Sequence, residues 1–151
     1  MGRWKRHAEL LARVTEDDRF LAFVAYFNRD RDYFECHEVM EELWLEEGRS
    51  PLLQGLLQVA VGLHHWNNGN LSGASKLLGA GLEKLNEFGD VALGLDLASL
   101  RQESKRCLEA LSIYGSVSAF RAFEIVVLDG DVRTRIANWE LEHPPLAEMD
   151  E

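Results

Sequence analysis

Cysteine is scarce in this 151-residue chain: there are two, Cys36 and Cys107, far apart and without C-x-x-C spacing. That pattern argues against a secreted disulfide scaffold and predicts two reduced thiols in the core of a cytoplasmic protein. Positive charge is also in short supply, with 16 basic residues against 26 acidic ones and a net charge of -10. A surface of that sign repels phosphates, so neither nucleic acid nor an anionic membrane is an expected partner. Arg3, Lys5, Arg6 and Arg13 make one basic segment, read as a solvated helix face. No apolar run is long enough to span a bilayer. The most apolar stretch, 51–66, contains Gln54, Gln58, His64 and His65. Glu9 and Arg13 interrupt the first 14 residues where a signal peptide would need an unbroken apolar core. No G-K-S or G-K-T phosphate loop occurs, and Ser50, Ser72 and Ser75 lack the setting of a nucleophile elbow.

What the chain does have is helix punctuation. Thr15 is a suitable N-cap, and Phe20, Phe23, Val24 and Phe27 follow it at the three-four spacing of an apolar stripe. Residues 28–32 read as a turn. A helix is predicted over 32–47 with Gly48 closing it. Ser50-Pro51 opens the next, over 51–67, because Ser caps and proline at the first helical position loses no hydrogen bond. Further helices are predicted over 71–88, ending at Gly89, and from the Asp96 cap to about 113, ending at Gly115. Residues 120–128 are apolar and fit either a helix or a short strand. Asp129-Gly130-Asp131 is a turn signal, and a last helix over 131–142 stops at His143-Pro144-Pro145. Residues 143–151 read as a frayed acidic tail. The expectation is a single all-α domain over 1–151. Residues 28–44 and 66–82 also echo each other at an offset of 38, with Cys36, Val39 and Met40 falling on Ala74, Leu77 and Leu78. The second of these is similar to the second helix of a tetratricopeptide unit, which points to packed helical hairpins.

The polar residues on two of these helices form the candidate site. On the 32–47 helix, Cys36, Val39, Met40, Leu43 and Trp44 share one apolar face, while Phe34 and Leu45 lie on another side. His37 and Glu41 stack four residues apart between them, with Glu38 just beyond. A helix apolar on two sides is expected to be central, with some of these polar groups partly buried. On the 51–67 helix, Gln54, Gln58 and His65 make a narrow polar stripe beside Gly55 and Gly62, which would admit a neighbouring backbone. Amides and imidazole in place of Lys and Glu suit hydrogen bonding inside a protein. The connection is short, so the helices are expected to be antiparallel, with their polar sets facing each other. Four readings stay open: a structural hydrogen-bond network, a divalent metal site, acid–base chemistry by a His–Glu pair, or a recognition groove. For a metal, His37, Glu41 and His65 are the candidate ligands. For acid–base work, His37, Glu38 and Glu41 are the candidates, the carboxylate orienting the imidazole. The run His37-Glu38-x-x-Glu41 resembles half of a zincin motif but lacks its second histidine. Trp44, Trp66 and Trp139 are read as packing or interface residues, and Glu35, Trp44, Gln54, Gln58 and His65 are the candidate binding residues.

These residues also carry a family resemblance. The turn Phe27-Asn28 is followed by Tyr33-Phe34-Glu35-Cys36-His37-Glu38-Val39-Met40-Glu41-Glu42-Leu43-Trp44. Then come Gln54-Gly55-Leu56-Leu57-Gln58, His64-His65 and Gly69-Asn70 with Gly73-Ala74. In that order they resemble the family catalogued as domain of unknown function 309, over about residues 20–88. The resemblance implies a compact bundle of about five core helices; the C-terminal helices, beyond its reach, are expected to be peripheral. It places Glu35, His37, Glu38, Glu41, Trp44, Gln54, Gln58 and His65 in the family signature, and it implies no particular reaction. Helix geometry favours His65 over His64 for the site. The functional expectation is a small-ligand or metal-binding bundle with a His/Glu/Gln site. The alternative is a helical interaction module or homo-oligomer in which the polar cluster is a structural network.

Overall fold

The computed structural model describes residues 2–145, apart from the side chains of Arg3 and Trp4. The predicted tail over 143–151 therefore lies largely outside the described residues. Among those described there are seven α-helices. They are α1 (Gly2–Val14), α2 (Asp18–Ala25), α3 (Tyr33–Glu46), α4 (Pro51–Asn67), α5 (Leu71–Leu85), α6 (Leu97–Tyr114) and α7 (Gly130–Glu142). No helix among the described residues is long and apolar enough to cross a membrane.

The caps explain most boundaries. Ser50 accepts from Leu53 N and opens α4 with Pro51 in its first turn; Asp96 accepts from Ser99 N and opens α6. The α2 boundary differs from expectation. Asp17, not Thr15, accepts the cap bond from Arg19 N, while Thr15 hydrogen-bonds back to Ala12 O and closes α1. The carboxylate wins here because Arg19 also reaches it through its guanidinium, at 2.8 and 2.9 Å. The turn expected at 28–32 is a π-helical turn over Tyr26–Asp30 that ends at Arg31 in the left-handed region, φ 52°.

Helices α2 to α6 are the core. Helix α4 packs between α3 and α5, α2 packs on the far side of α3, and α6 on the far side of α5. Helix α7 sits against α2 as a peripheral element. Consecutive helices being neighbours is the helical-hairpin arrangement that the echo at offset 38 predicts. The paired positions Cys36 and Ala74, and Met40 and Leu78, are all buried on the two helices that flank α4. Along α4, Leu52, Leu53, Leu56, Val59, Ala60, Leu63 and Trp66 are buried. Each such leucine contributes about 1.5–3 kcal/mol by leaving water.

A small β element lies outside this array. Strands β1 (Val91–Ala92) and β2 (Leu95–Asp96) form an antiparallel hairpin through Leu93-Gly94, both at positive φ. A Cβ on Gly94 would come within 2.8 Å of Asp129 Cβ, so close approach adds to the turn's demand for glycine. Segment 120–128 is extended, not helical. Val127 bridges Leu95, Asp96 N donates to Val126 O, and Leu128 N donates to Gly94 O.

The candidate site on helices α3 and α4

Asp32 starts α3 by accepting from Glu35 N, and the helix then presents three different strips. Tyr33, Cys36, Met40 and Leu43 point into the core. Val39 and Trp44 are half-buried. Phe34, Glu38, Glu41 and Leu45 form an outward strip at the i, i+4, i+7, i+11 spacing, and it is open: Phe34 is 49% and Leu45 47% exposed. Helix α3 is central, packed between α2 and α4, but Phe34 and Leu45 are not on either packed side. Beside that strip, His37 Nε2 lies 2.7 Å from Glu41 Oε2, and His37 Nδ1 lies 3.8 Å from Glu38 Oε1. These are surface contacts, with side-chain exposures of 36% for His37, 54% for Glu38 and 45% for Glu41. Glu35 is more enclosed. Burial, and then the charges of Asp32 and Glu38, push its carboxyl above the ordinary glutamate value.

The polar stripe of α4 turns away from these groups. Gln58 Oε1 accepts from Lys84 Nζ of α5 at 3.0 Å. Gly55 and Gly62 beside the stripe face α5 as well: a Cβ on Gly62 would sit 2.7 Å from Leu78 Cγ, and one on Gly55 3.0 Å from Leu85 Cδ2. On α5, Gly81 meets Gly55 O and Val59 N. The glycines did predict a close backbone approach, and α5 is the helix that makes it. His65 neighbours the loop, with Nδ1 3.4 Å from Asn70 Nδ2. Among the described residues no hydrogen bond or ion pair joins His37, Glu38 or Glu41 to Gln54, Gln58 or His65.

The histidine of α4 that does approach α3 is His64. Its ring lies 5.9 Å from that of Phe34, which in turn lies 6.5 Å from that of His37. Burial, then the neighbouring His65 and His37, hold the His64 imidazole below its ordinary value. Among the described residues, no group of three or more His, Cys, Asp or Glu side chains is arranged to hold a metal ion. Two buried polar atoms on α3 lack a partner, Trp44 Nε1 and Tyr33 Oη. The Arg49 guanidinium lies over the Trp44 ring at 5.4 Å. The Tyr33 phenol is pushed up to about 12, chiefly by burial. Both cysteines are free and buried, and burial raises each thiol, Cys107 to about 11.

Residues 20–77 match the model of the family described as Domain of unknown function (DUF309). The match runs from α2 into α5 and includes each signature residue named above. The chain is also similar to "Uncharacterized protein YpuF" of Bacillus subtilis (strain 168), at 36% identity over 106 residues. That comparison covers 65% of this chain and 61% of the relative. A second relative, an "Uncharacterized protein" of Aquifex aeolicus (strain VF5), is 24% identical over 98 residues, 63% of this chain and 29% of its own length. The chain thus spans under two thirds of either relative.

The structure also gives the DUF309 turn Phe27-Asn28 a role that spacing could not. Asn28 Oδ1 accepts from Ile125 N at 2.8 Å and Asn28 Nδ2 donates to Ile125 O at 2.9 Å. One carboxamide thereby satisfies both backbone groups of a residue 97 positions away. The partner falls outside the matched segment, so nothing within 20–77 announces it.

Proposed function

We propose that the outward strip of α3 is a recognition surface for a basic amphipathic segment, and that the protein is a helical interaction module. The observation that carries this reading is the pair of exposed side chains Phe34 and Leu45 bracketing Glu38 and Glu41 on one strip. Large apolar groups flanking acidic ones give anchors at two ends and charge between them, roughly 16 Å apart at about 1.5 Å per residue. Glu42 and Glu46 are held by Arg19, and Glu47 by Arg13. Glu38 and Glu41 have no Lys or Arg partner among the described residues. The groups lie in the open, which suits a macromolecular partner better than an enclosed small molecule. The free, buried thiols support placing the module in the reducing cytoplasm.

The test is fluorescence anisotropy with a labelled helical peptide of leucine and lysine. Wild-type protein should bind it in a salt-sensitive manner. Phe34→Asp and the pair Glu38→Lys with Glu41→Lys should each weaken binding by about tenfold or more. Binding that ignores both changes removes the reading.

A second reading is an organic ligand beside Trp44 of α3, favoured by its unpartnered donor Nε1. Native mass spectrometry of the full chain tests it. A small molecule retained by the wild type and lost in Trp44→Phe supports it; a bare mass for both ends it.

A further inference from the structure

We infer that the segment received by the α3 strip is helix α1 of a second copy of this chain, so that two copies exchange α1–α3 contacts. This rests on the recognition reading above. The two helices are opposite in charge: α1 has Arg3, Lys5, Arg6 and Arg13 against Glu9, whereas α3 has Glu35, Glu38, Glu41, Glu42 and Glu46 and no lysine or arginine. In a chain of net charge -10, α1 is the place where basic residues gather.

Helix α1 is pinned to its own bundle on one side, by buried Val14, by the Arg13–Glu47 pair at 2.9 Å and by the His7 ring stacked 6.1 Å from Phe88. Its other side is open. Lys5, Arg6, Ala8 and Ala12 are exposed, and Lys5 and Arg6 have no carboxylate partner among the described residues. Lys5, Ala8, Glu9 and Ala12 follow i, i+3, i+4, i+7 spacing, which sets a cation and one carboxylate beside two bare methyl positions on one strip. That strip complements the α3 strip, where large apolar groups stand beside carboxylates without cations. Because each copy carries both strips, a twofold axis satisfies both at once and closes the assembly as a dimer.

Sedimentation velocity of the full chain over a concentration series at low salt tests this. The wild type should dimerise. Lys5→Glu with Arg6→Glu in one variant, and Glu38→Lys with Glu41→Lys in another, should each raise the dimer dissociation constant by about tenfold or more. An equimolar mixture of the two variants should restore the dimer, because each reversed strip then meets its complement. Circular dichroism confirms that these exposed substitutions leave the helices formed. A wild type that stays monomeric overturns the inference, as does a dimer indifferent to both reversals or one that mixing fails to restore. A monomer that still binds the leucine–lysine peptide at the α3 strip loses only the dimer; a monomer that does not bind it loses the recognition reading too. A monomer that instead binds anionic phospholipid vesicles through Lys5 and Arg6 also overturns the dimer and assigns α1 to a lipid surface.

Discussion

The α4–α5 seam and the outward strip of α3 are built in opposite ways. At the α4–α5 seam, Gly55, Gly62 and Gly81 bring two helix backbones so close that an added Cβ would meet neighbouring atoms at 2.7–3.0 Å. The outward strip of α3, by contrast, leaves Phe34 and Leu45 half exposed among carboxylates. The first arrangement specifies which helices pack and how deeply. The second contributes little to packing, and the recognition reading proposed above assigns its apolar groups to a partner. The DUF309 segment mixes residues of both kinds within one motif.

Substitutions can separate the two. The largest effect is expected at the seam. Gly81→Val would set Cβ 2.9 Å from Gly55 O and 3.1 Å from Val59 N, backbone atoms that cannot swing aside. The loss should be roughly 2–3 kcal/mol, read as a lower urea midpoint with unchanged slope. Asn28→Ala comes next. It strips both partners from Ile125 N and O and should cost about 1–2 kcal/mol by the same assay.

The comparison also shows what the sequence made legible. Ser50-Pro51, Asp96 and Gly115 mark helix ends because capping is local chemistry that a few residues specify. The offset of 38 was readable because α3 and α5 bury equivalent positions around α4. Residues 120–128 were ambiguous because their conformation depends on Asn28 and the β hairpin, both distant in sequence. Helical spacing located the polar residues on α3 and α4 but not how they group. Helical periodicity orders side chains around one axis and does not say which neighbour each strip meets. Gln58 therefore went to Lys84 of α5, and His64, not His65, came beside Phe34.

The acid limb gives a smaller test. Arg19 holds the Asp17 carboxyl below the ordinary aspartate range, first through the side-chain hydrogen bond. A depressed folded value stabilises the fold above the unfolded value, near about 3.9, and that stability is lost as pH falls through the folded value. Asp17→Asn should therefore lower stability at neutral pH and flatten its fall in acid, as followed by thermal melts across pH. The smallest change in stability is expected for Phe34→Ala and His37→Ala, within about 0.5 kcal/mol. If Phe34→Ala costs as much as Gly81→Val, the outward strip is structural after all and the contrast collapses.

The carboxamide of Asn28 joins the two ends of the chain's timetable as well as two segments in space. During synthesis Asn28 emerges almost a hundred residues before Ile125, and its clamp cannot close until that late segment arrives. Closing so long a loop is slow relative to forming α3, α4 and α5 from neighbouring residues. The helical array should thus assemble first, with the β hairpin, segment 120–128 and α7 docking last. A nascent chain stalled before Ile125 would hold its hairpins but leave one edge of α2 and the π-helical turn unsealed, the edge at which a chaperone or protease would meet it.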